Sequence, residues 1–286
     1  MRLMRLGEPG QERAHLLVGD DLVVDVSAQV GDFDATFFGS DALAALRRDL
    51  AGLAPRARSL SSSGLRVGAP VAKPEKIICI GLNYADHAAE TGQAVPAEPI
   101  VFAKAPNTLV GPNDQVRIPR GSTKTDWEVE LGVVIGRQCR YLSSEQEALE
   151  AVAGYLVCND VSEREFQLER GGQWIKGKSC ETFNPAGPWL VTADEVPDPQ
   201  ALGLWLDVNG ERRQTGNTAT MIFGVGAIIA YLSRFMVLEP GDIINTGTPP
   251  GVAMGQREPR YLRAGDVVEL GIEGLGSQRQ ECVAAP

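Results

Sequence analysis

The chain has 286 residues, 43% hydrophobic and 22% charged, with a net charge of −10, which is an ordinary globular composition with length for a sizeable core. The acidic balance, with a pI of about 4.9, argues against nucleic acid as a partner, because phosphate binding needs clustered Lys and Arg. Five scattered cysteines with no CxxC exclude a disulfide framework and a zinc cluster. The start has no apolar stretch of signal-peptide length and the chain has no run of about 18 apolar residues, so a cytoplasmic protein without a membrane span is expected.

Taken in chain order, residues 1–70 read as a small N-terminal α+β domain. "MRLMRLG", "RAHLLVG" and "DLVVDVS" are short strand-like runs, and "SDALAALRRDLAGL" is a helix with Ser40 or Asp41 as its N-cap. A stretch rich in Pro, Ser and Gly then leads into a second domain, 71–286. Its runs "KIICIG", "IVFAK", "VRIP", "WEVELGVVIG", "GYLVCNDVS", "GPWLVT", "LWLDVNG", "DIINTG" and "DVVELGIEG" predict strands bounded by turns. "YADHAAETG", "SEQEALEAVAG" and "MIFGVGAIIAYLSRFM" predict helices, the first stopped by Gly92. Strands follow one another without regular helix alternation, which favours a mixed or antiparallel β-rich α+β architecture over a doubly wound sheet.

Four segments carry candidate chemistry. In "TDWEVELGVVIG", Glu128 and Glu130 stand at the mouth of an apolar strand, and alternation points both the same way. Like charges on one face repel unless a cation lies between them. With Asp160, which ends the apolar run "AGYLVCND", they make an all-oxygen set suited to Mg2+ or Mn2+. Asp126 falls on the same face and competes for the role. In "GLNYADHAAETG", His87 and Glu90 lie three apart on one helix face, so the carboxylate can orient the imidazole as a base. "NDVSEREFQLERGGQWIKGKSCETF" brings Arg164, Gln167 and Lys178, with Lys176 as the alternative lysine. Its paired glycines, 171 and 172, imply a tight turn or a covering loop. "INTGTPPGVAMG" offers backbone N–H groups and the Thr248 hydroxyl to a carboxylate, and has neither a P-loop lysine nor a dinucleotide fingerprint.

In this order, "GLNYADHAAE", "TDWEVELGVVIG", "NDVSEREFQ", "KGKSCETFNPAGPW" and "NTGTPPGVAMG" resemble the fumarylacetoacetate hydrolase family from about residue 70 to the end. The resemblance implies a mixed β-roll catalytic domain, a homodimer or higher homo-oligomer, and a carboxylate-held Mg2+ or Mn2+. It implies Glu128, Glu130 and Asp160 as metal ligands. His87 and Glu90 become the water-activating pair, Lys178 a further catalytic group, and Arg164, Gln167 and Thr248 substrate-binding residues; Asp126 matches no ligand. "LERGGQWIKGKSC" and "EPRYLRAGDVVELGIEGLG" are similar to family members of sugar-acid breakdown. They imply a 2,4-diketo acid such as 2,4-diketo-3-deoxy-L-rhamnonate, cleaved to pyruvate and L-lactate. The same residues also suit acylpyruvate hydrolysis, oxaloacetate decarboxylation or dienedioate isomerisation. A metal-binding protein without activity is the reading from outside enzymology.

Overall fold

Val129–Ile135 is buried along its whole length. Its odd-numbered residues Val129, Leu131 and Val133 enter one core, while Val134 enters another on the opposite side. A strand buried on both faces reads as a nearly continuous apolar run, which is how "VELGVVI" reads, Glu130 apart. In the computed structural model, which describes residues 1–90 and 94–286 and leaves the side chains of 87–89 out of the description, this strand lies within a 12-stranded mixed sheet. It pairs antiparallel with Val152–Asn159 on one side and Ile243–Asn245 on the other. Ile243–Asn245 in turn runs parallel to Ile77–Gly81, which pairs with Ile100–Lys104. On the far side the sheet continues through Asn184–Thr192 to Arg2–Leu6, Arg13–Leu17 and Leu22–Asp25.

A second sheet of five strands, containing Gly203–Val208, Val267–Ile272 and Gly276–Ala284, packs over the odd-residue core. The other core lies under the N-terminal strands and the Phe33, Phe37 and Phe38 cluster. The β-rich α+β class expected above is what is observed, with both parallel and antiparallel ladders. Among the described residues no helix is long and apolar enough to cross a membrane. Cys79, Cys139, Cys158 and Cys282 are buried free thiols, and Cys180 is half-buried.

The predicted helices form, with shorter limits. Ala42–Leu53 has Asp41 at its N-cap without a side-chain bond; Ser40 Oγ instead accepts from the Ala42 N–H at 3.3 Å. The next expected helix is confined to Glu145–Leu149, capped by Ser144, because the chain is taken up by the Val152–Asn159 ladder. The third spans only Val225–Leu232. The "MIF" ahead of it is held outside the helix, Met221 bridging to Tyr84 and Asn83 accepting the Phe223 N–H. Gly92, the expected stop of the Ala85–Glu90 helix, lies outside the described residues.

Candidate active site

The strand register assembles the acidic cluster. Val129 is paired with Asn159 at the end of their ladder. Glu128 and Asp160 are the next residue on each strand, so they meet across the same opening. The Asp160 N–H donates to the Glu128 carbonyl at 2.9 Å, and the Asn159 side chain accepts from the Glu128 N–H at 3.2 Å. Asn159 is itself held by Gln280 from the second sheet. Glu130 lies two residues further in, and Gly247 donates its N–H to it at 2.7 Å. One carboxylate oxygen from each of Glu128, Glu130 and Asp160 lies within 4.8 Å of the others, and all three residues are buried.

Three buried cations surround this cluster. Lys178 Nζ stands 2.6 Å from Glu128 and 3.0 Å from Asp160. Lys104 pairs with the other oxygen of Asp160 and donates to the Val161 carbonyl at 3.0 Å. Arg164 bonds Glu128 at 2.7 Å, Asp126 at 2.9 Å and the Gln167 side-chain amide oxygen at 3.1 Å. Burial opposes the charge on Lys178 and Arg164, but the adjoining carboxylates outweigh it, so both hold their protons more tightly than usual. Glu130 makes no close ion pair with a Lys or Arg among the described residues, the charge of Lys178 reaching it only from beyond contact distance. Burial, followed by the charges of Asp160 and Glu128, raises its carboxyl well above the ordinary range. Hard oxygen donors, closely spaced and short of one counter-charge, fit a divalent cation such as Mg2+ or Mn2+.

The remaining expected residues fall around one cleft of about 360 Å³, lined among others by Glu90, Glu128, Glu130, Arg164, Gln167, Lys178 and Thr248. Gln167 sits on the helical turn Glu165–Glu169, and Lys178 ends the short helix Ile175–Lys178. The alternative Lys176 is exposed and bonds the Arg170 carbonyl. Gly171 and Gly172 both have positive φ, 81° and 68°, and form the tight turn before it. Glu90 accepts from the Gly251 N–H at 3.0 Å. Thr248 differs from the expected ligand-facing hydroxyl, because its proton is donated to the Val129 carbonyl at 2.9 Å and its oxygen accepts from Gln214 at 2.8 Å. The side chain of His87 lies outside the described residues.

Sequence reasoning missed Lys104, Asn83, Phe102 and Trp174. Lys104 had a signal, a lysine closing the apolar strand "IVFAK", and it is 2% exposed. Asn83 had none: it joins "GLNY" to "NTGT" by donating to the Thr246 carbonyl at 2.8 Å. Phe102 and Trp174 looked like core and loop residues, yet both line the cleft.

Residues 76–283 match the model of the fumarylacetoacetate hydrolase C-terminal domain. A protein of Burkholderia multivorans with a hydrolase name is 57% identical over 286 residues, 100% of both chains. Among solved structures, a fumarylacetoacetate hydrolase of Exiguobacterium antarcticum is 36% identical, with a TM-score of 0.84 and 100% coverage of both chains. A maleylpyruvate hydrolase of Sphingobium sp. SYK-6, solved with manganese(II) and pyruvate, is 30% identical at a TM-score of 0.81, again over 100% of both. A 2-hydroxyhepta-2,4-diene-1,7-dioate isomerase of Mycobacterium marinum is 32% identical at a TM-score of 0.78, covering 99% of this chain and 98% of the other.

Proposed function

Since the chain belongs to the fumarylacetoacetate hydrolase family, we propose that it is a metal-dependent hydrolase of carbon–carbon bonds that cleaves 2,4-diketo acids to pyruvate and a second acid. The observation that carries this is the buried carboxylate triad with Lys178 bridging two of its members. Diketo-acid cleavage leaves an electron pair beside a carbonyl, and a cation held by the triad, with Lys178 beside it, would stabilise it. The manganese and pyruvate in the name of the Sphingobium neighbour support the same chemistry.

Glu128, Glu130 and Asp160 would hold Mg2+ or Mn2+. A bound cation supplies Lewis-acid polarisation of the 2-oxo group and charge for the substrate carboxylate. His87, oriented by Glu90, takes a proton from a water that adds to C4. The C3–C4 bond breaks, and its electron pair moves onto C3 and the C2 oxygen as the enolate of pyruvate. Lys178 contributes positive charge to that oxygen, and protonation at C3 completes pyruvate. Arg164, Gln167 and Thr248 bind the substrate, with Arg164 holding Glu128 and Gln167 in place and Thr248 fixing the turn that meets the carboxylate. Residues 71–286 are the catalytic unit in this scheme and 1–70 a small N-terminal unit, in a cytoplasmic homodimer.

The isomerase names among the structural neighbours support a second reading, proton transfer without water attack at the same residues. Metal-stripped protein, with and without Mg2+ or Mn2+, should be given 2,4-diketo-3-deoxy-L-rhamnonate, a simple acylpyruvate, oxaloacetate and 2-hydroxyhepta-2,4-diene-1,7-dioate in parallel. Metal-dependent pyruvate with a second acid supports the hydrolase. Release of carbon dioxide from oxaloacetate alone makes it a decarboxylase, and turnover of a dienedioate alone makes it an isomerase.

A further inference from the structure

Resting on the hydrolase reading, we propose that the part of the substrate beyond C4 is an apolar group, aromatic or branched alkyl, seated against Trp174 and Phe102, and not the hydroxylated tail of a sugar acid. Away from the carboxylates the described cleft wall is Ile80, Leu82, Phe102, Leu168, Trp174 and Met254. The indole N–H is the only strong hydrogen-bond donor among those six side chains. At about 360 Å³ the cleft is at the small end of the usual ligand range of ~300–1,000 Å³, so a tail that enters it lies close to this wall.

The polar residues of the cleft are already engaged. Arg164 is bonded to Asp126, Glu128 and Gln167. Lys178 is bonded to Glu128 and Asp160, Thr248 to Val129 and Gln214, and Glu90 to Gly251. Gln167 Nε2 and the Trp174 indole N–H remain without a hydrogen-bond partner among the described residues. Buried hydroxyls would give up water for few replacements, which is costly, whereas an apolar tail gains from leaving water.

The wall is also built to a fixed shape. The Phe102 and Trp174 rings meet edge-on, with centroids 5.2 Å apart and planes at 63°. Lys178 Nζ lies 5.0 Å from the Phe102 ring centroid, so the apolar wall begins where the charged half ends. Gly81 makes room for the indole: a Cβ there would come within 2.7 Å of Trp174 Cζ3. A charged head fixed at one end and two stiff rings beyond it match a dioxo acid whose acyl substituent is hydrophobic.

The test compares kcat/KM of the full chain, Mn2+-loaded, for acetylpyruvate, benzoylpyruvate and 2,4-diketo-3-deoxy-L-rhamnonate. Benzoylpyruvate should be preferred over the sugar-derived acid by at least about tenfold. Trp174→Ala should lower the benzoyl-to-acetyl ratio by about tenfold, and Trp174→Phe should restore most of it. Equal or better turnover of the hydroxylated substrate, or a ratio unmoved by Trp174→Ala, overturns the proposal. Calorimetric binding of phenylpyruvate against pyruvate separates it from the chemistry. If no diketo acid is cleaved, the hydrolase reading falls, while phenylpyruvate binding about tenfold tighter, and lost in Trp174→Ala, still upholds the apolar wall. Equal binding of the two overturns it.

Discussion

Arg164 ties Asp126 to Glu128, its Nε 2.9 Å from one carboxylate and its Nη2 2.7 Å from the other. Asp126 also accepts the N–H groups of Ala253 and Met254, at 2.8 and 3.0 Å. It therefore fastens the arginine and the 247–255 turn to the site, outside the close-set carboxylate triad. Removing one partner of a buried ion pair strands the other, at a cost of ~3–5 kcal/mol. Asp126→Ala should lose about that much in urea unfolding. Its Mn2+ affinity should fall far less than in Glu130→Gln; an equal fall would make Asp126 a ligand.

Lys104 and a cation held by the triad would do overlapping electrostatic work on Asp160. The lysine side chain and the aspartate are both fully buried. Lys104→Met should therefore cost metal-free protein ~3–5 kcal/mol. Mn2+ should recover a good part of this, because it returns positive charge to the stranded carboxylate. Thermal unfolding with and without Mn2+ checks this, and an identical loss in both conditions would refute the overlap.

The central strands were legible as short apolar runs between turn residues, and burial on both faces of Val129–Ile135 shows plainly in its composition, whereas Glu211–Asn217 and Gly276–Ala284 have no apolar run and were not expected. Glu128, Glu130 and Asp160 stood out as carboxylates embedded in such runs. Helix limits were less legible, since "EAVAG" suits a helix locally and only pairing with Val129–Ile135 makes it strand from Val152 onward. The Thr248 hydroxyl was expected to face a ligand, but the Val129 carbonyl, far away in sequence, takes its proton. Lys104 showed locally only as a lysine closing an apolar strand, and the place of Trp174 depends on which elements lie side by side, which no local pattern encodes.

Gly251 supports the turn that holds Glu90. Its φ is +109°, and a Cβ there would lie 1.9 Å from the Arg213 carbonyl oxygen. Its N–H donates to both oxygens of Glu90, at 3.1 and 3.0 Å. Gly251→Ala should cost at least ~1–3 kcal/mol of stability from backbone strain and lower kcat by displacing Glu90. Unfolding together with steady-state kinetics reads both, and wild-type kcat in a folded variant would detach Glu90 from the chemistry.

Alkaline pH should weaken the fold through its thiols. Burial, then the charge on Asp266 and Glu281, pushes Cys282 up from 9.0 to about 12, and burial pushes Cys180 up to about 11. The folded chain therefore holds protons that the unfolded chain releases. This contribution is complete below the unfolded value of 9.0 and is lost as pH rises towards 11 and 12. Unfolding midpoints should fall above about pH 9, and native thiols should react slowly with a disulfide reagent at pH 8; a flat alkaline profile would contradict both causes.

The most direct measurement is a Mn2+ titration followed by electron paramagnetic resonance, on the wild type and on Glu130→Gln. One tightly bound ion per chain is expected in the wild type. In the variant the affinity should fall by more than the ~10–100-fold typical of an outer-shell partner, because a ligand has been removed. Equal Mn2+ binding by the two proteins, or none by the wild type, would contradict a cation held by Glu128, Glu130 and Asp160.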